Sequence, residues 1–361
     1  MEPIIATTMD QRERATSRLS EYVDSARARS AGALNRIMNE VPVDRIMATG
    51  AMEFVSTGGG VALELGHGIQ YLHPNALEQI AQRIEVPSSY LKTLDQNGKA
   101  GQDWATELLA RTMREHFAHQ DNARVLVRSI GQNVRAVLSD KYRRIDCRPG
   151  LDALAQAAES RGAIVGDAIA TDTRVSVKWI TPRVLEPTPG EFMVFGFEWS
   201  NSDYGRGAET LRTFILRLLC WNGATMQQAL REVHLGRRLS DDVEYTDRTY
   251  RLDQKASVSA LTDTATALLS DRSIDKVMGA IASAASEGID AKAKLVDLRK
   301  KVGKGLADQV GEAFNRPDVE MLPAGNTAWR WSNALSWVAG QAENTEDRLD
   351  LERLAGAVLA N

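Results

Sequence analysis

Alternating side-chain character between residues 163 and 199 constrains this chain more than any other feature. In TRVSVKWIT, residues 173 to 181, Val175, Val177 and Trp179 fall on one parity and Arg174, Ser176 and Lys178 on the other. In FMVFGFEW, residues 192 to 199, Met193, Phe195, Phe197 and Trp199 share one parity, with Val194, Gly196 and Glu198 opposite. Successive side chains of a strand point to opposite faces, so both runs predict strands with one strongly apolar face. The segment predicts three strands, broken at Asp172-Thr173 and at the loop from Pro182 to Gly190.

The flanks extend this into a module over about residues 124 to 238. ARVLVRSIGQNVRAVLS places two alternating runs around Gly131-Gln132, the pattern of a hairpin. Residues 150 to 161 take helical spacing, with Gly162 in the terminating position. A second helix is predicted from Glu209 to Trp221, because Leu211, Phe214, Ile215, Leu218 and Leu219 recur at helical spacing. The predicted class is α+β: an antiparallel sheet with helices on one face, a central helix-strand-strand-strand-helix module, and a helical C-terminal region.

Around the module, residues 1 to 48 read as a helical N-terminal arm with a narrow apolar stripe of Leu19, Val23, Ala26, Leu34, Ile37 and Met38. A glycine-punctuated meander follows Pro42, then two short helices over Pro74 to Leu94 and another from about Trp104. The α+β core spans residues 49 to 240, and residues 241 to 361 read as a helical region. That last region is acidic, with 15 Lys and Arg against 20 Asp and Glu. It contrasts with the near-neutral remainder.

The formal net charge of -4 argues against a surface that coats polyanions as a whole, so any nucleic-acid contact must be local. Two cysteines, Cys147 and Cys220, give neither a disulfide framework nor a CxxC pair. The N-terminal segment lacks a signal-peptide pattern, and no apolar stretch reaches the roughly 18 residues of a membrane span. A cytoplasmic protein with no membrane association is the expectation.

Positive charge concentrates between Arg111 and Gly150, where nine Lys and Arg stand against four Asp and Glu. Parity puts Arg124 and Arg128 on the face opposite Val125 and Val127, as it puts Arg174 and Lys178 opposite Val175, Val177 and Trp179. Two readings stand: a solvated sheet face, or a surface that neutralises phosphates. The candidate nucleic-acid contacts are Arg124, Arg128, Arg135, Lys141, Arg143, Arg144, Arg174 and Lys178. By the same parity Trp179, Trp199 and Trp221 are core rather than stacking platforms.

Catalytic motifs are missing. No GxxxxGK[ST] occurs, since Leu298 stands where Gly303-Lys304 would need the first glycine, and GxSxG is absent. His116 and His119 lie three apart on a predicted helix without a third ligand nearby, which favours a surface pair over a metal site. A metal-dependent nuclease would place an acid two residues before Lys178, and Ser176 stands there. Asp140, Asp146, Asp167 and Glu198 read as caps and turn residues before metal ligands. No catalytic residue, cofactor or metal is predicted.

With VLSDKYRRID at 137–146, SNSDYGRGA at 200–208, RLLCWNGAT at 217–225 followed by HLGRR, and TAWRWSNALSWVA at 327–339, the chain resembles the "phage/plasmid-like" family of bacterial mobile elements, a domain of unknown function. The resemblance covers about residues 70 to 345 and implies work on replicating, recombining or incoming DNA, or on host defence. The predicted module over 150–222 is also similar in layout to double-stranded-RNA-binding domains and to ring-forming single-strand annealing proteins, an analogy of fold alone. Together these lead to a homo-oligomeric single-stranded-DNA-binding protein, annealing strands without ATP in recombination or replication. The alternatives are a protein-interaction module that modulates a host defence or replication factor through the C-terminal helices, and a nuclease built on the scattered carboxylates.

Overall fold

A computed structural model describes residues 2–66, 68–120, 123–218, 222–232, 245–316 and 322–359. The chain opens with one long helix, α1 (Glu2–Asn39), where the sequence allows one or two. Ala15, Leu19, Tyr22, Ala26 and Ser30 recur every three or four residues and are buried, a stripe just wide enough to seat the helix on one surface.

The first sheet follows. β1 (Val43–Ala48), β2 (Glu53–Thr57), β3 (Gly60–Leu65) and β4 (Gly68–Leu72) precede α2 (Pro74–Arg83), α3 (Ser88–Lys99) and α4 (Asp103–Ala118), and the hairpin β5 (Arg124–Ile130) and β6 (Asn133–Ser139) completes it. Strand order is β1-β5-β6-β4-β3-β2, antiparallel except for the β4–β6 pair. β1 therefore belongs to this sheet and not to the N-terminal arm. Phe54, Leu63, Val125, Val127 and Val134 meet Leu77, Ile80, Leu91, Leu109 and Phe117 of the three helices in one core. α2 starts where the His73 ring accepts a hydrogen bond from the Asn75 amide and Pro74 takes the first turn.

The second sheet is β11-β10-β9-β8-β7, built from β7 (Ile164–Ala170), β8 (Val175–Ile180), β9 (Met193–Asn201), β10 (Glu209–Arg217) and β11 (Asn222–Glu232), all antiparallel. α5 (Cys147–Ser160) precedes it. After it come α6 (Asp247–Leu268), α7 (Asp271–Ser286), α8 (Ala291–Val302), α9 (Lys304–Asn315), α10 (Ala328–Gln341) and α11 (Thr345–Ala357). The α+β class and the helical C-terminal region are as predicted.

Two expectations are corrected here. Residues 209–217 are β10 and not a helix. Leu211 and Ile215 face one core while Phe214 and Leu216 face another, and a strand buried on both faces produces the same spacing as an apolar helix stripe. The predicted module loses its second helix, and with it the layout analogy to annealing and RNA-binding domains.

The second sheet is also covered on both faces. Val177, Trp179, Phe195, Phe197 and Trp199 pack with α5 and the C-terminal helices, while Ile180, Val194, Phe214 and Leu216 pack with α1. α11 lies against β11 so closely that a Cβ added to Gly356 would stand 1.8 Å from the Thr225 carbonyl oxygen. Trp179 and Trp199 are core as parity predicted, and Trp221 lies outside the described residues. No described helix is long and apolar enough to cross a membrane.

Candidate nucleic-acid interface

Covering both faces of the second sheet changes the meaning of its charged parity. Lys178 is 2 % exposed, with its Nζ 2.5 Å from Glu352 Oε2 on α11 and 3.7 Å from Asp167 Oδ2 on β7. Burial works to lower the ammonium's pKa, but Glu352 and Asp167 outweigh it and hold the group above the ordinary lysine value. Arg348 of α11 closes the cluster, 2.5 Å from Asp167 and 3.2 Å from Glu352. Arg174 reaches Glu346 of α11 at 2.6 Å. Both residues are ion-pair partners of α11, Lys178 inside the fold and Arg174 at its surface.

Lysine and carboxylates together also revive the question of a nuclease centre. Asp167 and Glu352 flank Lys178, with Glu198 engaged by Ser176 at 2.7 Å, and Arg348 supplies further positive charge between Asp167 and Glu352. Among the described residues no three His, Cys, Asp or Glu side chains gather as a metal site. His116 and His119 are both exposed on α4 and at its end.

The first sheet's basic residues are similarly engaged. Arg128, 1 % exposed, sits 2.7 Å from both Asp44 and Asp146 and donates to the Asp203 carbonyl at 2.7 Å. Cross-strand pairing explains this, because Arg128 stands opposite Asp44 in the β1–β5 ladder. Arg144 shares Asp44 at 3.2 Å and lies over the Tyr250 ring. Arg143 holds Asp253 of α6 with two contacts of 2.5 and 3.0 Å. Arg135 bonds Glu40 at 2.7 Å and lies over Tyr204.

Arg124 is exposed and Lys141 half-exposed, and both interact within the described structure. The eight candidates thus occupy several different environments, six of them facing named carboxylates. The expectation of a single open basic face is corrected: Arg128 and Lys178 lie inside the layered fold, where a buried charge requires a counterion.

What the fold does bring together are two segments quoted for the family resemblance, 137–146 and 200–208. Tyr142 Oη donates to the Ser202 carbonyl at 3.2 Å, Asn201 Nδ2 to the Ile145 carbonyl at 2.9 Å, and the Cys147 amide to Asp203 Oδ1 at 2.7 Å. Burial, with the nearby Asp146 charge, pushes the Asp203 carboxyl up to about 6, against the pull of Arg128. Burial likewise pushes the Cys147 thiol well up. α2 ties the two segments from the other side, through Asn75 Nδ2 to the Tyr204 carbonyl at 3.0 Å and Gln79 Nε2 to the same oxygen at 2.8 Å. Gly205 is needed in this loop: its φ is +73°, and an added Cβ would stand 2.7 Å from Leu138 Cδ2.

Outside this junction lies an open groove of about 470 Å³, walled by α2, by β6 and by Gly205-Arg206. Its surface is polar, carrying the Gln79 and Gln82 amides, Ser139, and the guanidiniums of Arg83 and Arg206. Arg206 is paired with Glu78 at 3.1 Å, and Lys92 also reaches Glu78, at 3.4 Å. Arg83 is half-buried, and among the described residues its guanidinium forms no ion pair or hydrogen bond. Burial lowers its pKa and the Asp140 charge offsets that only in part.

Sequence reasoning missed Arg83, Gln79, Gln82 and Arg206. The available signal was the polar stripe of α2, Asn75, Glu78, Gln79, Gln82 and Arg83 at spacings of three and four, opposite Leu77, Ile80 and Ala81. No protein-family model, no curated protein and no solved structure matches this chain.

Proposed function

We propose that this chain binds single-stranded nucleic acid as a homo-oligomer, and that it aligns strands rather than cutting or copying them. The observation that supports this is the groove beside the two interlocked segments, with two guanidiniums, neutral amides and a hydroxyl on one concave surface. Guanidiniums and amides are the groups that contact phosphates and base edges. In this reading Arg83 and Arg206 replace the eight strand and loop residues as the principal phosphate contacts, and the resemblance supplies the mobile-element setting.

The test is a titration of a labelled single-stranded oligonucleotide at two salt concentrations, with the parent and an Arg83→Gln/Arg206→Gln double variant. The parent should bind more tightly than about 10 μM at low salt and weaken as salt rises. The double variant should weaken further and lose about two counterions of salt slope. Failure of the parent to bind at that level refutes the proposal.

One observation favours a protein-contact reading instead. Trp104 is 58 % and Leu108 38 % exposed on one side of α4, and Tyr90 of α3 is 45 % exposed. Stoichiometric capture of a protein from nuclease-treated lysate, abolished by Trp104→Ser, would support that reading.

A further inference from the structure

Resting on the nucleic-acid reading but narrower than it, we infer that the groove is a subsite for one phosphate group, held by Arg83 with the Gln82 amide beside it, the Ser139 hydroxyl being engaged with Asp140 at 3.3 Å. The argument starts with what Arg83 lacks. An arginine carries five N–H donors, and the guanidinium of half-buried Arg83 keeps them available to a ligand in the open groove. Four arginines of the junction are paired: Arg128 has Asp44 and Asp146, Arg135 has Glu40, Arg144 has Asp44, and Arg206 has Glu78. Arg83 faces the groove with Asp140 only as a more distant countercharge.

Its position at the last turn of α2 explains why the cation is tolerated there, since the C-terminal end of a helix favours positive charge. That interaction leaves the guanidinium's fork available to a bidentate oxyanion.

The other wall sets the polarity of the site. Glu78 would repel an anion if bare, but Arg206 and Lys92 both engage it, so the carboxylate is offset and the lining carries an excess of positive charge. The Gln79 amide accepts from the Val137 amide at 2.9 Å and donates to the Tyr204 carbonyl at 2.8 Å, which fixes its position in the floor of the groove. Gln82 is exposed at the mouth. A volume of about 470 Å³ lies within the range of small-molecule sites, roughly 300 to 1,000 Å³, and suits a single nucleotide unit better than a strand of several.

The shared chemistry is a phosphate group, whether from a strand, from a free mononucleotide or from inorganic phosphate. Calorimetric titration of the full-length protein with inorganic phosphate, deoxyadenosine monophosphate and a 20-nucleotide single strand separates these sources. The mononucleotide should bind the parent, and Arg83→Gln should weaken it about 10- to 100-fold, the effect of one charge-assisted contact. Arg83→Lys should retain part of the affinity, and Arg111→Gln, an exposed change on α4, should leave it unaltered.

A thermal melt of each variant guards against loss of the fold. Equal binding by the parent and a folded Arg83→Gln, or no mononucleotide binding at millimolar concentration, overturns the subsite whatever the oligonucleotide does. Mononucleotide binding lost in Arg83→Gln without any oligonucleotide binding upholds the subsite and refutes the strand-binding function.

Discussion

Replacing Lys178 by Met tests whether the charged parity of the second sheet is structural. Lys178 is 2 % exposed and its partners Asp167 and Glu352 have side chains 7 % and 6 % exposed, so all three are nearly cut off from water. Methionine keeps most of the stem and removes the charge, leaving two buried carboxylates to share Arg348. Breaking a buried pair in this way costs about 3–5 kcal/mol, because the desolvated partner remains. With a urea m-value of about 3 kcal/mol/M for a chain of this size, the unfolding midpoint should fall by on the order of 1 M.

Lys178→Met/Glu352→Leu removes one charge of each sign and leaves the Asp167–Arg348 pair intact. The double variant should therefore regain most of the loss, giving a coupling of about 2–3 kcal/mol in a double-mutant cycle. Tryptophan fluorescence through urea titration, with Trp179 in the adjoining core, measures all four proteins. An unchanged midpoint for Lys178→Met, or additive effects in the cycle, would refute the buried-pair reasoning and return Lys178 to the list of ligand contacts.

Other outcomes follow from the same structure. The folded Asp203 carboxyl titrates near 6 against 3.8 for the free group, so the native state holds an extra proton between these values and stability declines as pH rises from about 4 to 6. Asp203→Asn keeps an acceptor for the Cys147 amide and should be more stable than the parent at pH 7.5 by up to about 3 kcal/mol, with the gap closing toward pH 4; equal melting temperatures at pH 7.5 would contradict this. Cys147 is buried with its thiol pushed up, so brief iodoacetamide treatment followed by peptide mass spectrometry should find it unmodified in the native protein and modified in urea. Gly356→Val should unseat α11 from β11, lowering stability by more than about 3 kcal/mol and increasing proteolysis within 345–357.

Much of the fold was legible because its signals are local. The β5–β6 hairpin, the breaks at Gly162 and Pro87, and the apolar parity of β8 and β9 follow from alternation and from residues that punctuate it. β10 was misread because Leu211, Phe214, Ile215 and Leu218 satisfy a helix stripe as well as a strand with two buried faces. Local pattern cannot tell these apart; only the cores on both sides decide. The site failed for a related reason. Parity correctly put Arg174 and Lys178 opposite the valines, but whether that side meets water depends on α11, whose contact with Lys178 spans 174 positions. Arg83 and Arg206 were hidden differently, since each is unremarkable until α2, β6 and the 201–207 loop converge.

That same separation bears on how the chain acquires its structure. Lys178 and Asp167 belong to strands synthesised well before Glu352 and Arg348, and at about 5–20 residues per second the ribosome delivers the missing charges roughly 10–35 s later. Until then the half-formed sheet presents a lysine and an aspartate on a face flanked by Ile180, Val194, Phe214 and Leu216, which only α1 is present to shield. The buried charges of the second sheet thus find their last partners only when α11, near the end of the chain, docks.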